Sequence, residues 1–306
     1  MNPRRHHYCP AGYLANFANP SERIGFLIAT DVKTGKERRS TPNNEAHQRD
    51  FYRIDADENG DPFQLETEFL YLEAAALAAL REIIQSNKLP DHELMQTVIA
   101  FIGLLAVRVP AQRSYWENAE KTIYSNFLRM VVSSRDRYDA VLSNMRKSGE
   151  KIDHPYEDMK QFIENERFEI SVSKNSLLRT MLNNASIVTE LLSKRNWCLV
   201  TTNSEVEFIA SDNPVGIRWI KPVKGYFKPG YGISNTEVSL AISPKHTLIG
   251  VFEEIKGTFE IAAIGVAAAN EQKHIRATRF LYSHSRDTQT IDKDQNILSY
   301  IDRIKS

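Results

Sequence analysis

The residues whose types and spacing could do chemistry are His7, Tyr8, Asp50, Glu73, Arg108, Arg113, Arg195, Asp212 and Asn213. A histidine with several carboxylates could bind a divalent metal, magnesium or manganese, and activate water for phosphodiester hydrolysis. Alternatively His7 could act as a general base while Arg108 or Arg195 holds a phosphate or carboxylate through two parallel N–H bonds. On either scheme His7, Asp50, Glu73, Asp212 and Asn213 are the catalytic candidates. Tyr8, Arg108, Arg113 and Arg195 are the ligand-binding ones. His6 and His7 are neighbours, so in extended chain they point to opposite faces and only one can readily face a shared site. The plainer reading has one of them bonded to a neighbour and the other in solvent. There is no Cys-x-x-Cys pair, no His-Glu-x-x-His helix, no phosphate-binding Walker loop and no Gly-x-Ser-x-Gly elbow. Zinc, P-loop and serine-hydrolase chemistry therefore lack a motif.

These side chains need elements to position them. Glu207 to Ala210 reads as the end of an apolar strand that runs into Ser211-Asp-Asn-Pro214. Pro214 cannot donate to a sheet and pushes Asn213 toward extended backbone, while Asp212 and Asn213 can bond nearby backbone groups. The turn is either an ordinary strand end or the address of a site. Leu65 to Ser86 carries one apolar stripe at helical spacing, and Glu66 and Glu73 fall on it. A buried carboxylate there needs a partner. Asp91 is placed to cap a second helix over Leu94 to Val109, which ends at Arg108-Val-Pro110. The short link predicts antiparallel packing and brings Arg108 toward the Glu66–Glu73 end of the first helix. A Glu73–Arg108 pair is the structural outcome, and substrate contact the functional one.

Around these lie further elements. Ile24 to Thr30, Lys36 to Ser40 and Asp50 to Ile54 read as strands, with a Gly35 turn between the first two. Asp57 to Pro62 is a solvated turn that lacks the alternation and closing Glu of a calcium loop. Helices follow over Ala111 to Val132, in broken form over 135–168, and over Lys174 to Lys194. From Arg195 the pattern changes to strands. Trp197 to Thr201 and Val206 to Ala210 are expected to pair across an Asn203-Ser turn. Val238 to Ile242, Thr247 to Phe252, Phe259 to Ile264 and Arg279 to Tyr282 follow, with a short helix over Val266 to Ile275. The loop 216–235 is a lid or a surface loop, and Ile291 to Ile304 a terminal amphipathic helix. The fold class is α+β, with a helical middle layer, a mainly antiparallel C-terminal sheet and a small N-terminal β segment. The expected organisation is one compact unit over 1–285, in which His7 and Asp212 approach, and a tail over 286–306.

Composition narrows the function classes. The chain has 306 residues, 42% of them apolar, with 39 acidic and 39 basic side chains. That length supports a substantial core, and the balanced charge supplies no global attraction to nucleic acid or an anionic membrane. Two cysteines, Cys9 and Cys198, suggest a reduced, cytoplasmic protein. The longest apolar run, Val98 to Val107, is about half of the ~20 residues a spanning helix needs.

His7-Tyr-x-Pro10 followed by Tyr13-Leu and Phe17 resembles the opening of a large bacterial family of unknown function named for its His-Tyr-Val-Pro motif. Asp50-Phe-Tyr52, Glu73, Arg108-x-Pro110, Arg195-x-Trp197, Ser211-Asp-Asn-Pro214, Ser243-Pro244 and Asn270 recur in the family's order. Cys9 stands where the family usually has Val. The resemblance implies the architecture and brings no established activity. The expectation for function is an intracellular hydrolase, nuclease-like, acting on nucleic acid or a nucleotide in a defence or toxin setting. The alternative is a non-catalytic binder of a small anion or a partner protein, a second copy included. A third reading makes the charged set a buried structural network.

Overall fold

The computed structural model describes residues 4–55, 61–149, 154–166, 168–225 and 227–305. Residues 57–60 of the expected Asp57 to Pro62 turn, the segment just past Gly149, and Tyr226 of the long loop lie outside them. In chain order, β1 (Arg5–His7), a short helix α1 (Ala11–Leu14), β2 (Leu27–Asp31), β3 (Glu37–Ser40) and β4 (His47–Arg49) precede the long helices α2 (Gln64–Ser86) and α3 (His92–Val107). Next come α4 (Pro110–Val131), α5 (Arg135–Lys147), α6 (Tyr156–Glu164) and α7 (Lys174–Ser193). Then follow β5 (Asn196–Thr201), β6 (Ala210–Ser211), β7 (Gly216–Trp219), β8 (Thr236–Ser243), β9 (His246–Val251), β10 (Thr258–Glu260), α8 (Ala263–Arg276) and β11 (Phe280–Ser283). The chain ends with β12 (Gln289–Ile291), β13 (Ile297–Ser299) and α9 (Tyr300–Lys305).

The fold is mixed α and β with mainly antiparallel sheets, as the residue pattern implied. Two compact units form. One is built from residues 1–111 and 181–306, the other from 112–180. The second is helical, and its core gathers Val131, Val132, Tyr138, Leu142 and Ile163. Everything below, except Arg113, concerns the first.

A five-stranded sheet in the order β10-β5-β9-β8-β7 is antiparallel apart from the β10–β5 pair. A four-stranded antiparallel sheet runs β3-β2-β11-β6, so N-terminal strands interleave with C-terminal ones. Four expected elements differ, the first being the loop over 216–235, whose opening residues form β7 and pair with β8. Residues 206–209 do not pair with β5; the chain enters the other sheet at Ala210, and Phe208 N–H bonds Pro244 O at 2.8 Å instead. Asp50 takes φ 54°, which turns the chain and ends β4 where a strand over 50–54 was expected. The C-terminal segment forms the β12–β13 hairpin and only a short α9, because Tyr300 is drawn into a cluster with Ile209 and Leu281.

α2 and α3 form as the stripes predicted. Asp91 caps α3 by accepting the Leu94 N–H at 2.9 Å, and residues 98, 99, 101, 102 and 104–107 are buried. Gly103 lets α3 approach α7 closely. A Cβ there would stand 2.2 Å from Thr189 Oγ1 and 3.1 Å from its backbone. Gly103→Ala is therefore expected to lower stability by about 1–3 kcal/mol, the usual cost of overpacking. Urea unfolding measures it, and an unchanged midpoint would contradict the close approach. Among the described residues no single helix is long and apolar enough to cross a membrane. Cys9 and Cys198 are both buried and free.

Candidate functional site

The N-terminal candidates meet the helix pair. Arg108 is fully buried at the end of α3. Its Nη1 donates to Glu73 Oε1 at 2.7 Å and its Nε to the Tyr8 carbonyl at 3.0 Å. Nη2 is buried with no hydrogen-bond partner. The expected Glu73–Arg108 pair thus exists, and it ties α2, α3 and the segment after β1 together. Glu66 lies two turns before Glu73 on the same face of α2. Burial, and then repulsion from Glu73, pushes its carboxyl up to about 7. His6 Nδ1 is 3.8 Å from Glu66 Oε2 but also accepts the Tyr52 N–H at 2.9 Å. An Nδ1 lone pair engaged in that bond carries no proton, so the contact is no ion pair.

His6, fully buried, is the inward-facing histidine, and His7 is half-buried. His7 Nε2 meets the Asn43 carbonyl at 3.3 Å. Burial, with smaller contributions from His47, Arg108 and Arg23, lowers its imidazole to about 4. A base that weak at neutral pH is poorly matched to proton abstraction. Tyr8 is buried with its hydroxyl pushed up by burial and by Asp212. Asp50 sits at the turn after β4, 3.6 Å from Arg49 Nε. Arg113 belongs to α4 in the other unit. Among the described residues, no three His, Cys, Asp or Glu side chains stand where they could hold one metal ion.

The Glu66 shift sets a pH dependence. Its folded value, about 7, lies above the ordinary 4.5. Between the two the folded chain holds a proton that the unfolded chain has released, so stability falls as pH rises. The contribution is complete below 4.5 and gone above 7. Glu66→Gln is expected to flatten that slope in urea titrations from pH 5 to 8. An equal slope in the variant would assign the dependence elsewhere.

The C-terminal candidates are tied into backbone. Asp212 Oδ1 accepts the Thr278 N–H at 2.8 Å, and Oδ2 accepts those of Arg279 at 2.8 Å and Phe280 at 3.1 Å. Burial pushes its carboxyl up while the three amides work against that. Asn213 Nδ2 donates to Arg276 O at 3.1 Å, and the Ser211 hydroxyl donates to Asn213 O at 2.9 Å. The Ser-Asp-Asn-Pro turn therefore clamps β6 to the α8–β11 connection. Arg195 spends its guanidinium on the carbonyls of Tyr231, Thr236 and Gly250 and on the Thr236 hydroxyl. Asn270 joins Ile209 N–H, Glu207 O and Gln289 O.

An open cleft of about 720 Å³ lies elsewhere in the same unit, lined by Gly12, Arg23, Arg81, Ser243, Lys245 and His246, among others. β8 and β9 slip register between Ala241 and Ser243, a bulge just before the hairpin turn Pro244-Lys245. Bulges re-aim the side chains that follow them. Tyr13 OH donates to Ala241 O at 2.6 Å and Asn16 Nδ2 to Ile242 O at 3.0 Å, so α1 and the residues after it hold the bulge. Beyond it Ser243 Oγ stands 2.7 Å from His246 Nδ1, and His246 Nε2 stands 2.6 Å from Asn87 Oδ1. Asn87 is the left-handed cap that ends α2. Among the described residues neither Arg23 nor Arg81 has an acidic partner. Glu22 and Glu207 also line the cleft, and Glu207 is 3.6 Å from Lys245 Nζ. Burial lowers the His246 imidazole from its ordinary value.

The missing elbow motif had argued against serine chemistry, and the elbow is indeed absent from the hairpin. The hydrogen-bonded chain arises without it, from two separate places, the β8–β9 hairpin and the end of α2. Only Ser243 carried a sequence signal, through its Ser-Pro pair. Nothing local marks His246, Asn87, Arg23 or Arg81.

The chain belongs to the family described as Protein of unknown function (DUF4238), whose family model matches residues 5–287. No curated protein and no solved structure matched.

Proposed function

We propose that this DUF4238 protein is a cytoplasmic hydrolase that takes a nucleotide, a nucleic-acid end or a similar phosphorylated substrate in the cleft beside Arg23, Arg81 and the β8–β9 turn. One observation carries the reading. Two guanidinium groups without acidic partners among the described residues share an open cleft with a hydrogen-bonded serine and histidine. Guanidinium matches phosphate geometry through paired N–H donors, and a cleft of this size suits a small ligand. On this reading the His7-Tyr-x-Pro10 and Ser211–Pro214 motifs are the framework, tying the sheets and helices that shape the cleft.

The test is hydrolysis by purified protein of a panel of nucleotides and single- and double-stranded DNA and RNA, in EDTA and in magnesium or manganese. Turnover that persists in EDTA, with KM raised in Arg23→Ala and Arg81→Ala, is the expected result. Turnover that requires metal and disappears in His7→Ala would move the site to the N-terminal cluster.

Arg108 favours a second reading, a non-catalytic binder of a small anion, because its Nη2 is buried and unpartnered. A carboxylate or phosphate oxygen reaching it would complete the guanidinium's bonds. Anion-dependent thermal stabilisation without turnover, lost in Arg108→Lys, would support that reading over the first.

A further inference from the structure

We infer that Ser243 is a nucleophile, with His246 its general base and Asn87 the positioning residue, and that it forms an acyl-enzyme with a carboxylic ester of a phosphorylated alcohol. The inference rests on the cleft reading above, since Arg23 and Arg81 take the phosphate. The hydrogen-bond roles follow from the atoms. Asn87 Oδ1 only accepts, so the His246 proton sits on Nε2 and is donated across 2.6 Å. Nδ1 is then an open lone pair, and the Ser243 hydroxyl, 2.7 Å away, donates to it. The serine is thereby aligned for proton loss to a neutral imidazole, and a third group orients that imidazole. This is the arrangement that activates a hydroxyl nucleophile, recognised by roles rather than by sequence order.

Rigid elements hold all three groups. Ser243 closes β8 immediately after the bulge, His246 opens β9 directly across from it, and Asn87 caps α2. The Lys245 N–H lies 3.2 Å from Ser243 Oγ and stabilises negative charge developing on it. A bolt joining hairpin to helix would need the same bonds but no access. Here Ser243 and His246 are largely buried, and both line the cleft.

The step balances without a cofactor. Ser243 Oγ attacks the ester carbonyl carbon while its proton passes to His246 Nδ1. The tetrahedral intermediate collapses, the bond from carbon to the alcohol oxygen breaks, and His246 returns the proton to the leaving alcohol. Water then attacks the acyl-serine, giving one proton to His246, which returns it to Ser243 Oγ as the carbon–Oγ bond breaks; the carboxylic acid leaves with the other proton and releases it to solvent.

A fluorophosphonate probe tests this on the full chain, read by intact mass and peptide mapping. The expected result is one adduct, on Ser243, whose formation slows at least 100-fold in His246→Ala. It slows about tenfold in Asn87→Leu and recovers in Asn87→Asp, which keeps the acceptor. Circular dichroism checks that each variant folds. No Ser243 adduct on folded wild-type protein, or equal labelling in His246→Ala, would overturn the assignment. The probe carries no phosphorylated alcohol, so labelling does not depend on Arg23 or Arg81. Labelling with no phosphate recognition would therefore leave the nucleophile standing and remove only the substrate reading.

Discussion

Replacing Glu73 by alanine is expected to cost about 3–5 kcal/mol of folding stability. Arg108 is fully buried, and Glu73 is the carboxylate it touches, at 2.7 Å. Removing that carboxylate leaves a guanidinium in the core with Nη2 already unpartnered and only the Tyr8 carbonyl on Nε. Desolvation of the charge is then uncompensated, which is why breaking one half of such a pair costs far more than the pair itself contributes. Glu73→Gln keeps an acceptor facing Nη1 and is expected to lose less. Urea unfolding at pH 7 separates the two. A loss below 1 kcal/mol for the alanine variant would mean that water or Glu66 takes over, and that this cluster is looser than the packing implies.

Asp212→Ala is expected to cost a similar amount, about 3–5 kcal/mol, for a different reason. Its carboxylate is the acceptor for three consecutive backbone amides, those of Thr278, Arg279 and Phe280. An amide left without an acceptor, where water does not replace it, costs about 1–3 kcal/mol. Asp212→Asn is expected to cost less, because its one oxygen can still accept two of the three amides while its NH2 group cannot accept the third. The expected signature is a lower unfolding midpoint with the remaining folded protein still able to bind ligand. Normal stability combined with lost turnover would instead give Asp212 a role at the reacting atoms.

Much of the scaffold was legible because it is written locally. The stripe from Phe69 to Ile83 fixes the buried face of α2, Asp91 marks the start of α3, and the Glu73–Arg108 pair follows from a charge on each stripe and a short link. Gly35 pivots the β2–β3 turn at φ 68°. Pairings that depend on distant chain were not legible. Residues 206–210 look like a partner for β5, yet the strand that matters to Ala210 is β11, about 70 residues later. An apolar period over Ile291 to Ile304 fits a helix equally well as a hairpin whose Tyr300 is anchored in the core.

The cleft was still harder to read. His7 drew attention as one of an adjacent histidine pair and Asp212 as a polar residue at a strand end, but His7 bonds the Asn43 carbonyl and Asp212 the backbone amides of Thr278, Arg279 and Phe280. Asn87 and His246 are 159 residues apart and meet only because a helix cap faces a hairpin turn. Nothing in either local segment requires that meeting. The link between the two regions is Tyr13, whose hydroxyl reaches the bulge before Ser243. The N-terminal segment thus shapes the cleft at a distance from its own histidines.

The central claim is that ligand binds between Arg23, Arg81 and the β8–β9 turn, and titration calorimetry tests it most directly. Nucleotides from the hydrolysis panel would be titrated into wild-type protein, into Arg23→Ala/Arg81→Ala and into His7→Ala. The account predicts binding that weakens at least tenfold in the double arginine variant, with an unchanged unfolding midpoint, and that is retained in His7→Ala. Binding that is retained in the arginine variant and lost in His7→Ala would contradict it and return the site to the N-terminal cluster.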